Sequence, residues 1–192
     1  MPRQDEFEVC RARPQYHLPD GVREAAASKN SLVRIMNKKT PESCFESSVK
    51  YDGDRIQAAA VYCSDGRLGE QFDEFMHTAL GLPRYDRLAV PGGAACLARH
   101  FQIFREEDGV SEQLRFLVKV HCLERVVLIA HEDCAFYTQR LKISQLKLES
   151  QQREDIQKAF ERVRSMGPDL LIEAFFARKK RDGTVHFEFI EM

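Results

Sequence analysis

His131 and Cys134 lie three residues apart, directly after an unbroken apolar run from Val126 to Ala130. An apolar, β-branched run of this length predicts a parallel strand that is covered on both faces. Both side chains then fall in the turn that follows the strand, where an imidazole and a thiolate can reach one point. This pair of residue types suits a transition metal.

A second cysteine follows a second apolar run, because Ala58 to Tyr62 ends in Cys63. If the two runs form neighbouring parallel strands, about 4.8 Å apart, their carboxyl ends bring Cys63 together with His131 and Cys134. Open α/β sheets bind ligands in the crevice at this edge. Two cysteines and one histidine leave a fourth tetrahedral position for water or substrate, which is the pattern of a catalytic zinc site.

Asp65 and Arg67 are the next candidates for chemistry, since residues two apart in an extended segment share a face with Cys63. Arg67 can hold Asp65 in a charge-assisted, bidentate pair. A carboxylate fixed beside a metal can accept a hydrogen bond from a bound water molecule and orient it. It could alternatively bind the metal itself.

The elements that must position these residues alternate along the chain, which predicts an α/β fold with a mostly parallel central sheet, flanking helices and an antiparallel edge strand. We predict a zinc-binding α/β domain over 55–192, preceded over 1–54 by an amino-terminal arm that contains a helix at 20–37; the whole is one domain. The predicted strands are 56–62, 88–90, 126–130, 170–177 and 185–190. The predicted helices are 68–80, 94–104, 111–122, 135–148 and 149–166, with a break at 106–109.

Composition narrows the classes of function. The 192 residues carry 29 Lys and Arg against 30 Asp and Glu, a formal charge of −1, so nothing global indicates nucleic acid or an anionic membrane as a partner. No apolar run approaches the roughly 20 residues of a membrane span, and the amino terminus lacks the apolar core of a signal peptide. We therefore expect a cytoplasmic protein, with its six cysteines free or metal-bound.

The segments Cys63-Ser64-Asp65-Gly66-Arg67 and His131-Glu132-Asp133-Cys134 together resemble the paired motifs of the β-class carbonic anhydrases. The resemblance extends over residues 55–190 and includes the segment YDRLAVPGGA at 85–94. It implies Zn²⁺ bound by Cys63, His131 and Cys134, with Asp65 and Arg67 as a catalytic dyad. It further implies carbon dioxide and bicarbonate as substrates, and a homodimer or larger homo-oligomer in which the helix at 20–37 packs on the partner.

The sequence departs from the family pattern around the expected pocket. Gly66 stands where the family has serine, and Val90-Pro91-Gly92-Gly93-Ala94 stands in place of Arg-Asn-Ala-Gly-Asn. Ala135 replaces the first of two glycines after the metal cysteine, and Phe136 and Tyr137 add bulk. These positions shape the walls of the pocket, so they bear on the substrate more than on the metal.

The sequence is consistent with three functions. In the first, zinc lowers the pKa of its bound water to about 7, the resulting hydroxide attacks carbon dioxide, and Asp65 orients it. In the second, the altered pocket hydrolyses a related linear substrate, carbonyl sulfide or carbon disulfide. In the third, the scaffold is non-catalytic, with the metal closed by Asp65, Cys96 or Cys122. His77, His100 and Tyr137 are further candidates as proton shuttles.

Overall fold

The computed structural model describes residues 45–192. The chain divides into two compact units, Met1–Asp54 and Arg55–Met192. The expected helix at 20–37, the arm before it, and Cys10 and Cys44 lie outside the described residues. The predicted organisation into an amino-terminal arm over 1–54 and a zinc-binding domain over 55–192 stays a prediction.

Within Arg55–Met192 the strands form a five-stranded sheet in the order β2-β1-β3-β4-β5. The first four strands are parallel, and β5 pairs antiparallel with β4 at the edge. The predicted fold class is therefore confirmed. The strands are β1 (Ala58–Cys63), β2 (Asp86–Val90), β3 (Arg125–His131), β4 (Leu171–Lys179) and β5 (Val185–Phe189).

The two apolar runs form the buried centre of this sheet. Every residue of β1 is buried, and so is β3 from Val126 onward. Because side chains alternate between the faces of a strand, each of these strands contributes side chains to two hydrophobic cores, one on each face of the sheet. Val61 and Leu128 pack on the face that also buries Leu114 and Ile156. On the opposite face, the core includes Ala60, Ile129, Phe72 and Met76.

Among residues 45–192, three helices flank the sheet, with shorter helical turns between them. These are α1 (Gly69–Glu74), α2 (Phe104–Val120) and α3 (Leu148–Arg164). α1 continues in a π-helical turn at Phe75–Ala79, and a second such turn spans Phe136–Arg140. Short 3-10 turns cover Gly93–Leu97, Phe101–Ile103 and Gln145–Lys147.

The predicted break at 106–109 is wrong, because α2 begins at Phe104 and runs through it. Glu106 and Glu107 lie in the first turn of the helix, where the helix dipole favours acids. Gly109 is exposed within the helix, at a cost of about 1 kcal/mol relative to alanine. The acids therefore lie at the start of a helix and the glycine lies within it. The sequence pattern alone does not distinguish this arrangement from a loop.

Two predicted helices are also shorter than expected. The predicted helix at 94–104 is two separate 3-10 turns, divided near Arg99, whose φ of 63° is left-handed. The segment 135–148 holds the π-helical turn and a 3-10 turn, divided near Lys142 at φ 59°. A single residue with left-handed backbone angles ends a helix. Arginine and lysine rarely adopt these angles, so the sequence does not predict them here.

The strand order places a topological switch point between β1 and β3. From β1 the chain passes to β2 on one side, and the next strand, β3, lies on the other side of β1. Connections that leave in opposite directions open a crevice at the carboxyl ends of the two strands. Cys63 ends β1 and His131 ends β3, so both predicted ligands lie at this crevice.

No helix of residues 45–192 is long and apolar enough to span a bilayer.

Candidate metal centre

The structure brings Cys63, His131 and Cys134 together. One ligand atom of each residue lies within 4.8 Å of the others, and all three residues are buried. The two sulfurs are 3.8 Å apart. Residues that are far apart in sequence thus converge because β1 and β3 are parallel neighbours, with Tyr62 opposite Ile129.

The imidazole of His131 is oriented as a metal ligand requires. Its Nδ1 lies 2.8 Å from the carbonyl oxygen of Glu132. A carbonyl only accepts hydrogen bonds, so Nδ1 carries the proton and Nε2 keeps its lone pair. Nε2 is buried and has no hydrogen-bond partner among residues 45–192. An orphaned buried nitrogen is costly unless a ligand satisfies it, so this atom fits a bound cation.

The two thiols are linked to each other. Cys134 donates a hydrogen bond to the sulfur of Cys63, and this bond lowers the pKa of Cys63 below its ordinary value. The same bond, together with burial, raises the pKa of Cys134. The backbone N–H of Gly92 also donates to the Cys63 sulfur, at 3.4 Å. A divalent cation takes the place of the proton in this S–H···S bond when both sulfurs ligate it as thiolates.

The donor set of two sulfurs and one nitrogen is one that zinc prefers. No fourth His, Cys, Asp or Glu joins the group in the part of the chain that the structure describes. The Cys96 thiol instead donates to the carbonyl of Pro91 at 3.2 Å. Cys122 also lies outside the group of three ligand atoms. Neither cysteine closes the tetrahedron.

Asp65 and Arg67 form the predicted pair. The guanidinium donates from Nε to Oδ1 at 2.9 Å and from Nη2 to Oδ2 at 2.6 Å, and the Arg67 backbone N–H donates to Oδ1 at 3.1 Å. These bonds hold the pKa of Asp65 well below its usual range. The Asp65 side chain is 17% exposed and that of Arg67 is 77% exposed. The carboxylate is therefore ionised, held from the solvent side, and outside the three-atom group.

A glycine pair lets the backbone approach Cys63 closely. Gly92 and Gly93 have φ values of 85° and 53°. A Cβ at Gly93 would lie 2.9 Å from the backbone N of Cys63, so the loop packs directly on the end of β1. The ring of Phe136 lies over Gly92, where an added Cβ would clash with its Cδ1. The sequence departures at 92 and 136 are thus in contact with each other.

His77, a candidate proton shuttle, and three polar residues near the strand ends have structural partners. His77 packs against the ring of Tyr85, and His121 lies 2.6 Å from Asp86. Glu132 accepts the backbone N–H of Lys179 at 2.6 Å, and Asp133 accepts from its side chain at 2.9 Å. These two acids therefore join the turn after β3 to the end of β4.

Sequence reasoning missed two polar residues on the buried face of α3. Gln152 donates from Nε2 to the carbonyl of His131 at 2.8 Å. Asp155 lies 2.6 Å from Nε2 of His100, and burial together with the Asp155 carboxylate raises the pKa of Tyr137. The signal in the sequence is the polar pair at 152 and 155, which shares a helix face with Ile156.

Comparison with known proteins agrees with this geometry. Residues 54–187 match the model of the family described as "Putative carbonic anhydrase". A search of curated proteins finds no match.

Similar solved structures include three carbonic anhydrases. The β-carbonic anhydrase isoform I of Trichomonas vaginalis is 16% identical, with a TM-score of 0.45 over 73% of this chain and 87% of that one. The carbonic anhydrase of Streptococcus mutans is 19% identical, with a TM-score of 0.45 over 69% and 81%. The β-carbonic anhydrase CafA of Aspergillus fumigatus is 16% identical, with a TM-score of 0.42 over 71% and 76%.

The family match covers well over half of the chain and contains both motifs and the strand ends that carry them. The chain therefore belongs to the family described as "Putative carbonic anhydrase".

Proposed function

We propose that this protein binds one zinc ion through Cys63 Sγ, His131 Nε2 and Cys134 Sγ and catalyses the reversible hydration of carbon dioxide to bicarbonate. The observation that supports the metal most directly is the buried, unpartnered Nε2 of His131 beside two sulfurs. Membership of a carbonic anhydrase family supports the reaction.

Zinc bound here supplies a Lewis acid that lowers the pKa of a water molecule to about 7. The chain's own contribution begins with the ligand orientation. The proton on Nδ1 of His131 fixes the tautomer that presents Nε2. The N–H of Gly92 withdraws charge from the Cys63 sulfur, which partly offsets the charge that two thiolates donate.

Asp65 orients the attacking solvent molecule. Since its pKa lies below the usual range, it is an acceptor only and holds the hydrogen of that molecule. A solvent molecule held by its hydrogen turns a lone pair away from the carboxylate and toward carbon dioxide. Arg67 keeps both carboxylate oxygens in place through its two N–H bonds. The ring of Phe136 over Gly92 adds an apolar wall, which suits a small apolar substrate.

The proposal is tested by zinc analysis together with a stopped-flow assay of carbon dioxide hydration. We expect about one zinc per chain and turnover above the uncatalysed rate. Cys134→Ser should lose both, because it removes a thiolate ligand. Cys96→Ser is the matched control and should keep both, since that thiol bonds to Pro91 and lies outside the group. Full zinc loading with no hydration would contradict the catalytic proposal.

A second candidate is hydrolysis of carbonyl sulfide or carbon disulfide. The contact of Phe136 with Gly92 favours it, because this contact alters the pocket wall at two positions where the sequence departs from the family pattern. Release of sulfide from these substrates, measured beside carbon dioxide hydration on the same zinc-loaded sample, separates the two reactions. The non-catalytic alternative needs a fourth protein ligand or Asp65 on the metal. The described residues favour neither, since Asp65 is bound to Arg67.

A further inference from the structure

Two segments must be held in place for the proposed metal site to keep its shape. One is the end of β3, which carries His131. The other is the turn after it, which carries Cys134 and continues into the π-helical turn at Phe136–Arg140. Neither segment belongs to a long helix, so contacts from another element must fix them.

α3 supplies those contacts from two consecutive positions on one face. Gln152 and Asp155 are three residues apart, so they lie above one another on the helix. They are 1% and 0% exposed, respectively, although both are polar. Buried polar side chains persist where they hold specific partners.

Gln152 holds the segment of His131. Its Nε2 donates to the His131 carbonyl at 2.8 Å, one residue before the carbonyl of Glu132 that orients the imidazole. The N–H of the same peptide unit, that of Glu132, donates to the carbonyl of Ala177 at 3.1 Å. The peptide unit that follows His131 is therefore held at both its carbonyl and its N–H.

Asp155 holds the segment of Cys134 through Tyr137. The Tyr137 hydroxyl lies beside Asp155, and burial together with this carboxylate raises the pKa of Tyr137. The Tyr137 backbone N–H donates to the Cys134 carbonyl at 3.2 Å. Asp155 is itself held by His100 Nε2 at 2.6 Å and by Gln151 Nε2 at 3.0 Å. Tyr137 is only 1% exposed, so its hydroxyl has no solvent to turn to if Asp155 is removed.

We propose that Gln152 and Asp155 are positioning residues of the metal site, and that with Tyr137 they set its affinity for zinc. The proposal rests on the proposed ligands, but it does not require that carbon dioxide be the substrate. Partners that orient metal ligands change affinity by about 10- to 100-fold when they are removed.

The test is the zinc dissociation constant, measured by competition with a chromophoric chelator. Gln152→Met removes the donor while keeping the length of the side chain, and Tyr137→Phe removes only a hydroxyl. We expect each to weaken zinc binding by about 10- to 100-fold. Substitution with Co²⁺ gives a second measurement, since its visible absorption reports the geometry at the metal; we expect altered bands in both variants.

Two variants on the same helix serve as controls. Ile156→Val removes one buried methylene, and Ser150→Ala removes a bond from Oγ to the carbonyl of Lys147 that does not reach either ligand segment. Both should bind zinc as the wild type does, even where Ile156→Val lowers stability. Asp155→Asn keeps an acceptor for Tyr137 and should retain more affinity than Asp155→Leu.

Wild-type affinity and cobalt spectra in both Gln152→Met and Tyr137→Phe would overturn the inference. If Gln152→Met does not fold, Tyr137→Phe decides the question alone. A wild type that binds zinc tightly but does not hydrate carbon dioxide would refute the proposed reaction. The zinc affinities of the variants would still decide whether Gln152 and Asp155 position the metal ligands. A wild type that binds no zinc would refute both.

Discussion

Asp65 is the acidic side chain on which the proposed reaction depends most. Replacing it with asparagine keeps the shape of the group but removes the charge and turns one acceptor into a donor. We expect Asp65→Asn to keep its zinc and to lose about 10²- to 10⁴-fold in hydration rate, the range typical of a positioned acid or base. Stopped-flow kinetics at equal zinc content measures the loss.

Asp133→Asn is the matched control for that change. Asp133 is also close to a metal ligand in sequence, but it pairs with Lys179 and Gln145. Its φ of 55° suits asparagine as well as aspartate. Hydration should be retained in this variant. Equal losses at 65 and 133 would show that any nearby charge matters and would remove the specific role of Asp65.

At this scale the sequence predicted the residues that the structure brings together, and missed the ones that hold them. Cys63, His131 and Cys134 were predictable because each follows an apolar strand that can be read locally. Gln152 and Asp155 were not, since their partners His131 and His100 are distant in sequence and become neighbours only after α3 packs on the sheet. The Phe136 contact with Gly92 was missed for the same reason.

The loop after β2 is the element that depends most on glycine. At Gly93 a Cβ would lie 2.9 Å from backbone atoms of both Tyr62 and Cys63, which cannot rotate away, and the φ of 53° adds strain. We expect Gly93→Ala to displace the loop, to lower the free energy of unfolding by more than about 1 kcal/mol, and to weaken zinc binding. Urea denaturation and chelator competition measure the two effects.

Gly69→Ala provides the comparison. Gly69 opens α1, and an added Cβ there meets nothing within 4 Å. It should be neutral or slightly stabilising and should leave the metal affinity unchanged. A Gly93→Ala protein that behaves in the same way would show that the loop is not built around a close backbone approach.

In α2, by contrast, we expect a glycine substitution to raise the free energy of unfolding. Gly109 lies within the helix and is exposed, and a Cβ there meets nothing within 4 Å. Gly109→Ala should therefore raise the free energy of unfolding by about 0.5–1 kcal/mol, because alanine loses less backbone entropy in a helix. A shift of the urea midpoint with an unchanged slope measures it. A decrease in stability would mean that α2 is interrupted at this position.

The helices and strands that could be predicted are those whose sequence patterns are local. β1, β3 and α3 follow from apolar runs and from a clear helical period, and their bounds differ from the predicted ones by a residue or two. The helical turns around 93–103 and 136–147 were predicted as helices. Their ends depend on left-handed residues such as Arg99 and Lys142, which the surrounding fold imposes.

On the scale of the whole molecule, ion pairs join α3 to the edge hairpin. Glu149 pairs with Arg153 at 3.0 Å and with Arg178 at 2.5 Å, and both arginines also pair with Glu188. The bond from Arg178 is the main reason that the pKa of Glu149 falls to about 2. Since the Glu149 side chain is 46% exposed, solvent screens the network and its contribution is about 1 kcal/mol or less.

The lowered pKa fixes the sign of the dependence on pH. A carboxylate whose pKa is depressed by folding stabilises the protein above its unfolded pKa of about 4.3, and this contribution is lost as the pH falls through about 2. Glu149→Gln should therefore destabilise the protein modestly at pH 7, and the difference from wild type should shrink between about pH 4 and pH 2. Urea denaturation of both proteins at a series of pH values would show a constant difference if the network contributed nothing.

The convergence of two strand ends on one point has a consequence for motion. An ion that bridges Cys63 at the end of β1 with His131 at the end of β3 and Cys134 in the turn after it would act as a reversible cross-link, which restricts local opening at that end of the sheet. Adding zinc should slow amide hydrogen exchange at residues 61–63 and 129–137 and leave the amino ends of the same strands unchanged. Uniform slowing along both strands would instead indicate global stabilisation.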